Sequence, residues 1–342
     1  MHTHHPCKLI LSTLLSTLML TLLICGLLCT GSLTEDAAAA EKLNYRLKWL
    51  FNASVVGDIY ASEHGFFKKE GLDVEVKAGG PERDAIKELE LGHAQFGVAS
   101  ADQVIRALDK GSPVVVLAQL FQINPLHWIY RASKAPINSL ADLKGRTVGI
   151  TYGGNDETIM RTMLAKAGIK ESEVKLTSVR YDYTPFYKDQ VEVWPCYINS
   201  QGVMLENKLK EAGEGVKFIN PADFGVRFVA NSVVTSERML KEHPETVAKF
   251  TRALLAGWTA AFNEANRQQA LETLAKFDKD TPPEMMAQQF DTTRGLVVPS
   301  GGTALGTIDS QAWEQTEAIM LDNKQIAAPV SVTRVLQPLV NK

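Results

Sequence analysis

The chain has 342 residues, with 36 lysines and arginines against 39 aspartates and glutamates and a formal charge of -3. That near balance, with no basic stripe, argues against a nucleic-acid partner. Three of the four cysteines, Cys7, Cys25 and Cys29, sit near the amino terminus, so the remainder keeps only Cys196 and can form neither an internal disulfide nor a cysteine metal cluster.

The first predicted element is a leader. Lys8 precedes an apolar run, Leu9–Cys29, and a cluster of small residues, Ala37–Ala40, stands ahead of Glu41. This is the layout of a secretory signal with an Ala-x-Ala cleavage site, so residues 1–40 are expected to direct export and to be removed. The apolar run is also long enough to span a bilayer, and a retained anchor is the other reading. Ile24 and Leu28 precede Cys25 and Cys29 where a lipid-attachment site needs a small residue, which argues against a lipoprotein. No later apolar run approaches the length of a membrane span. The roughly 300 residues that follow suffice for two medium domains with their own cores.

From residue 44, short apolar runs alternate with helical patches, the pattern of parallel α/β sheets. Strands are predicted at 44–51, 72–77, 94–99 and 113–121, with helices at 57–69, 81–91 and 100–109 between them. Pro81 with Glu82 and Asp84 opens one helix, and Ser100 with Gln103 forms a capping box for another. Gly71, Gly92 and Gly111 stop the three helices in turn. A second block follows: strand 146–150, helix 155–167 closed by Gly168, strands near 174–179 and 190–194, a helix at 201–212 and a strand at 216–219. Beyond about residue 245 long helices take over, with Val247, Phe250, Leu254, Trp258 and Ala261 at helical spacing. Extended segments at 126–131 and 226–234 suggest two lobes joined by two crossings, one lobe from residues 41–127 and 230–342, the other from 128–229. Periodicity alone is equally compatible with a two-domain α/β enzyme.

Open α/β sheets place ligands beyond the carboxyl ends of their strands. Trp49 and Asn52 follow the first strand, Gly79 and Gly80 the second, and Ser100, Asp102 and Gln103 the third. Tyr152, Gly153, Gly154, Asn155, Asp156 and Glu157 form the clearest polar turn, where glycines at a helix start let backbone N–H groups face an anion or a carbonyl. Ordinary helix capping, by Asn155 in this turn, explains the same residues equally well. Trp49, Tyr60, Tyr152, Trp194 and Tyr197 flank element ends, where a flat heteroaromatic molecule would stack. Asn52, Asp58 and Asn199 are candidates for its polar edge, Asp58 through a two-point contact with the N–H groups of an aminopyrimidine. Core packing is the alternative for the tryptophans, and stabilising a helix N-terminus is the alternative for Asp58. His64, His93, His127 and His243 show no metal-ligand spacing, and no nucleophile elbow, Walker loop or dinucleotide fingerprint is present.

The run Gly65-Phe66-Phe67-Lys68-Lys69-Glu70-Gly71-Leu72-Asp73-Val74, behind an apolar strand that ends in polar Asn52, resembles the opening of periplasmic solute-binding proteins of the thiamine-pyrimidine type. The likeness extends over about residues 44–300 and includes the turns at Gly79–Pro81, Gly97–Gln103 and Gly153–Glu157 and the stretch Trp194–Gly202. It implies a type II, Venus-flytrap fold with two hinge crossings and a cleft that takes ligand contacts from both lobes. It also implies a substrate-binding component of an ABC importer, a monomer partnered by a permease and its ATPase, with no cofactor and no metal. The implied ligand is similar to the hydroxymethyl- or formylaminopyrimidine precursor of thiamine; a receptor for an alkylsulfonate, taurine, nitrate or other small anion is the alternative. Two departures stand out: Gln201 occupies a place where the family commonly has an acid, and Asp58-Ile59 replaces a tyrosine pair. The fungal pyrimidine synthase that shares the fold uses a cysteine-rich motif, which this chain lacks.

Overall fold

The computed structural model describes residues 42–80, 82–180 and 182–338, so the predicted leader and Pro81 lie outside the described residues. Strands β1 (Lys42–Arg46), β2 (Asp73–Lys77), β3 (Phe96–Ala99) and β4 (Val114–Gln119) come first in the chain. After them come β5 (Leu126–Arg131), β6 (Thr147–Ile150), β7 (Lys175–Ser178), β8 (Val193–Tyr197), β9 (Val216–Ile219) and, last, β10 (Ser232–Ser236). They form two five-stranded sheets, β2-β1-β3-β10-β4 and β7-β6-β8-β5-β9. In each sheet the strand made just after the chain crosses over runs antiparallel to its neighbours: β5 against β8 and β9, β10 against β3 and β4. The other pairs are parallel. The chain therefore passes between sheets twice, through residues 120–125 and 220–231.

The helices that matter for the site are α1 (Val56–Glu63), α2 (Ala101–Asp109), α3 (Asn155–Lys166), α4 (Val203–Glu211), α5 (Pro244–Ala261), α6 (Pro283–Val297) and α7 (Ser310–Asp322). Leu43, Tyr45 and Leu47 alternate inward along and just beyond β1; Tyr45 meets Phe250 of α5 edge-on, and the Phe250 ring lies flat on Phe96 with centroids 3.6 Å apart. Helices α1 and α5 cross at two glycines. A Cβ on Gly57 would fall 1.9 Å from the Trp258 ring, and one on Gly257 2.4 Å from Ala61 Cβ, so neither position has room for a side chain. A smaller cluster, built around Ile129, Phe186, Trp194 and Leu205, packs separately within the second sheet's half. Helix α6 touches both the turn before α1 and the segment before α4, and α7 touches both α2 and α3, so the carboxyl-terminal helices reach both halves.

Several predicted boundaries move, each for a local reason. The first strand ends at Arg46 rather than 51, because Asn52 caps a 3-10 turn, its side chain accepting from Ser54 N, and the backbone bends away to reach it. The predicted helix 57–69 breaks at Gly65, whose φ of +72° is left-handed. The helix expected from residue 81 begins at Ala85, since Asp84 is the residue whose side chain accepts from Lys87 N. The Ser100–Gln103 capping box forms as predicted. At the next strand-to-helix turn the cap is Gly154, which makes Asn155 the first helical residue and frees its side chain. The strand predicted at 190–194 lies at Val193–Tyr197, which carries Trp194 and Tyr197 toward the sheet's carboxyl edge.

Candidate functional site

A cavity of about 490 Å³ lies where the carboxyl ends of β1 and β3 face those of β6 and β8. Its size falls in the ordinary range for small-molecule sites, roughly 300–1,000 Å³. From the first half Trp49, Asn52, Ser100 and Asp102 reach it; from the second come Gly153, Gly154, Asn155, Trp194 and Tyr197. Trp194 is buried as a wall, its Nε1 donating to Asp182 O at 3.0 Å, whereas Trp49 is 48% exposed and stands partly free at the rim. One aromatic is thus held rigid and the other can adjust. Beyond β8 a single π-helical turn, Ile198–Gly202, widens the backbone and brings Ser200 and Gln201 to the cavity.

The remaining predicted site residues lie elsewhere, and each has a structural explanation. Asp58 is a correction: it is 1% exposed in the core, accepting from Tyr45 OH at 2.6 Å and Trp258 Nε1 at 3.2 Å, and burial pushes its carboxyl up to about 7. Tyr60 is buried as well, its hydroxyl donating to Gln269 Oε1 at 2.6 Å. Gly80 sits in a turn bridged to Arg83, outside the cavity lining. Tyr152 is 56% exposed and does not line the cavity. Glu157 accepts from Gly153 N at 2.7 Å and from Arg161 Nε at 2.9 Å, bracing the glycine turn from the side. Asn199 donates through Nδ2 to Ser54 Oγ at 3.0 Å and Thr293 Oγ1 at 2.9 Å, tying the segment after β8 to the turn before α1 and to α6.

Asp102 is the electrostatic centre of the first half. It accepts from Ser100 Oγ at 2.5 Å, pairs with Arg106 one helical turn along α2, and accepts from Asn155 Nδ2 at 3.1 Å across the cavity. Arg106 could have been anticipated from that four-residue spacing. Lys48 also lines the cavity, beside Trp49; burial holds its ammonium below the usual lysine range, with Asp102 opposing that effect. Burial pushes the Asp156 carboxyl up to about 6, with the Thr151 amide it accepts from pulling the other way. Phe121 and Asn231 line the floor from the crossing segments, a placement that only the topology reveals. Cys196 is buried beneath, its thiol pushed upward by burial. Among the described residues no group of three or more histidine, cysteine, aspartate or glutamate side chains could hold a metal, and no helix is long and apolar enough to cross a membrane.

Two sheets exchanging the chain twice and facing one shared cavity define the two-lobed fold of periplasmic binding proteins. Residues 52–267 match the family described as NMT1/THI5 like, and the chain belongs to it. It is 27% identical over 288 residues to a formylaminopyrimidine-binding protein of Halalkalibacterium halodurans, covering 82% of this chain and 84% of that one. It is 26% identical over 233 residues to a 4-amino-5-hydroxymethyl-2-methylpyrimidine phosphate synthase of Legionella pneumophila, covering 67% and 72%. Among solved structures the periplasmic aliphatic sulphonate binding protein of Escherichia coli superposes with a TM-score of 0.67 at 18% identity, covering 88% of this chain and 93% of that one. That level of identity speaks for the fold alone.

Proposed function

We propose that this chain is the extracytoplasmic solute-binding component of an ABC importer, holding a small heteroaromatic molecule such as a thiamine pyrimidine precursor without altering it. The observation that carries the reading is the cavity between the two sheets, walled by Trp194 and Tyr197, rimmed by Trp49 and edged by Asn52, Ser100 and Asn155. Stacking walls with a few placed polar groups suit a flat ring. The similarity to a formylaminopyrimidine-binding protein supports the ligand class, while the synthase relative makes catalysis the reading to exclude by assay.

In this reading residues 1–40 export the chain, residues 41–127 with 230–342 form one lobe, and residues 128–229 form the other. The crossings at 120–125 and 220–231 act as hinges. A ligand that touches both lobes binds the closed form better and shifts the equilibrium toward it, and that closed monomer engages the permease and its ATPase. Lys48 and Arg106 at the cavity favour a second reading, a receptor for an alkylsulfonate, taurine, nitrate or other small anion. Isothermal titration of the purified protein with aminopyrimidines and with sulfonates separates the two. Submicromolar binding of an unmodified pyrimidine supports the first reading. Binding confined to sulfonates refutes it, and turnover of a bound pyrimidine refutes a purely carrier role.

A further inference from the structure

The hydrogen-bonding groups around the cavity are committed unevenly. Asn52 Oδ1 accepts from Ser54 N at 2.8 Å, and Gln201 Oε1 accepts from Tyr197 N at 3.2 Å. Only the oxygen of an amide can accept from an N–H, so these contacts fix both orientations. The two amide nitrogens are left with no partner among the described residues, and both residues line the cavity. The two acceptors nearest the start of α2 are treated in the opposite way. Asp102 is taken by Ser100, Asn155 and Arg106, and Gln103 Oε1 by Ser100.

Lys48 completes the imbalance. Arg106 is engaged by Asp102 and Gln325, but Lys48 lines the same cavity without a hydrogen bond or ion pair to any described residue. Asp102 and Asp84 offset the loss of water around this cation only in part, and an anion in direct contact would offset more of it. Asn155 Oδ1 and the side-chain oxygens of Ser200 and Asn231 remain open to accept from ring N–H groups, none of them taken by a described residue.

Resting on the receptor reading above, we propose that the ligand is a flat ring bearing an oxyanion, a carboxylate, sulfonate or phosphate, with Lys48 as its counter-charge and the Asn52 and Gln201 amides as flanking donors. The lowered pKa of Lys48 agrees with a site that holds its charge out of water. Selectivity then comes from a pair of features, the stacking walls for the ring and the unspent donors for its substituent.

The test is calorimetric titration of the full mature chain with matched probes. These are pyrimidine-5-carboxylate against pyrimidine-5-carboxamide, hydroxymethylpyrimidine phosphate against hydroxymethylpyrimidine, a ring sulfonate against its sulfonamide, and methanesulfonate as a ring-free anion. At least one acid is expected to bind about tenfold or more tightly than its neutral counterpart, the size of a hydrogen-bonded charge contact. Lys48→Met should erase that preference, and Lys48→Arg should retain most of it. The wild-type comparison needs no variant, so a misfolded Lys48→Met would leave the proposal exposed to refutation. Equal affinity within every pair, or an unchanged preference in Lys48→Met, overturns the oxyanion inference and leaves the receptor reading standing. Methanesulfonate binding as tightly as the ring acids overturns the ring requirement. Failure of every probe overturns the inference together with the reading beneath it.

Discussion

Replacing Asp58 with asparagine should make the protein more stable at alkaline pH without changing its affinity for ligand. The carboxyl is held in the core by Tyr45 OH and Trp258 Nε1, both donating to Oδ1, while Oδ2 is buried without a partner. Asparagine keeps the accepting oxygen and places an uncharged NH2 where a protonated carboxyl has its OH. Burial raises the folded pKa from 3.8 to about 7. A raised carboxyl favours folding fully only below the unfolded value. That contribution declines as the unfolded chain ionises above about pH 4, and is gone once pH has risen through 7. The gap between the two values corresponds to roughly 4 kcal/mol at about 1.36 kcal/mol per pH unit. Urea unfolding at pH 4.5, 6 and 8 measures it. The stability of Asp58→Asn relative to wild type should climb across that range and level off above pH 7. Taking the difference between the two proteins removes the contributions of Asp156 and the histidines, which are common to both. Parallel pH profiles, or loss of ligand binding with stability unchanged, would refute the assignment of Asp58 to the core.

Three further outcomes follow from the same geometry. Trp49→Ala should weaken binding of an aromatic probe by about 1 kcal/mol, five- to tenfold in Kd, with little change in Tm because the side chain is half exposed; equal losses in both would place Trp49 in the packing instead. Asn199→Ala removes the hydrogen bonds to Ser54 and Thr293, a loss of about 1–2 kcal/mol between the halves. Small-angle scattering of the ligand-free protein should then show a more open average shape, and an unchanged profile would count against this tie. Gly57→Ala should destabilise by about 2 kcal/mol despite the better helix propensity of alanine, since its Cβ would meet the Trp258 ring at 1.9 Å. Chemical unfolding reads the sign directly, and a stabilised variant would mean the two helices part easily.

Much of this architecture was legible because period and punctuation agree. Gly71, Gly92 and Gly111, each with positive φ, stop their helices where the pattern ends, and Ser100 with Gln103 starts one by a purely local contact. The site was harder to read because pocket membership depends on which way a side chain turns after its strand. Asp58 and Tyr60 lie on the first helix, as the pattern required, yet α1 rotates both toward α5 and the residues that follow it. Lys48, one position before Trp49, carries no local signal, because a lone lysine in a polar turn is ordinarily solvated. Phe121 and Asn231 carry no local signal at all; they meet only because two distant crossings run side by side. The polarity of Asn199 near a strand end, which suggests a ligand contact, serves hydrogen bonds to Ser54 and Thr293 instead.

The position of Phe121, Pro125 and Asn231 within the crossings has a mechanical consequence. Points near a rotation axis travel least, so under the proposed hinge a guest resting on this floor keeps those contacts whether the jaws are apart or together. Points far from the axis travel most, and Trp49 at the rim and Asn155 across from Asp102 fall in that class. The floor would then set how long a molecule stays, and the rim whether its arrival is signalled. Changes near the pivot should therefore alter affinity without altering shape, and changes at the lip should uncouple capture from closure.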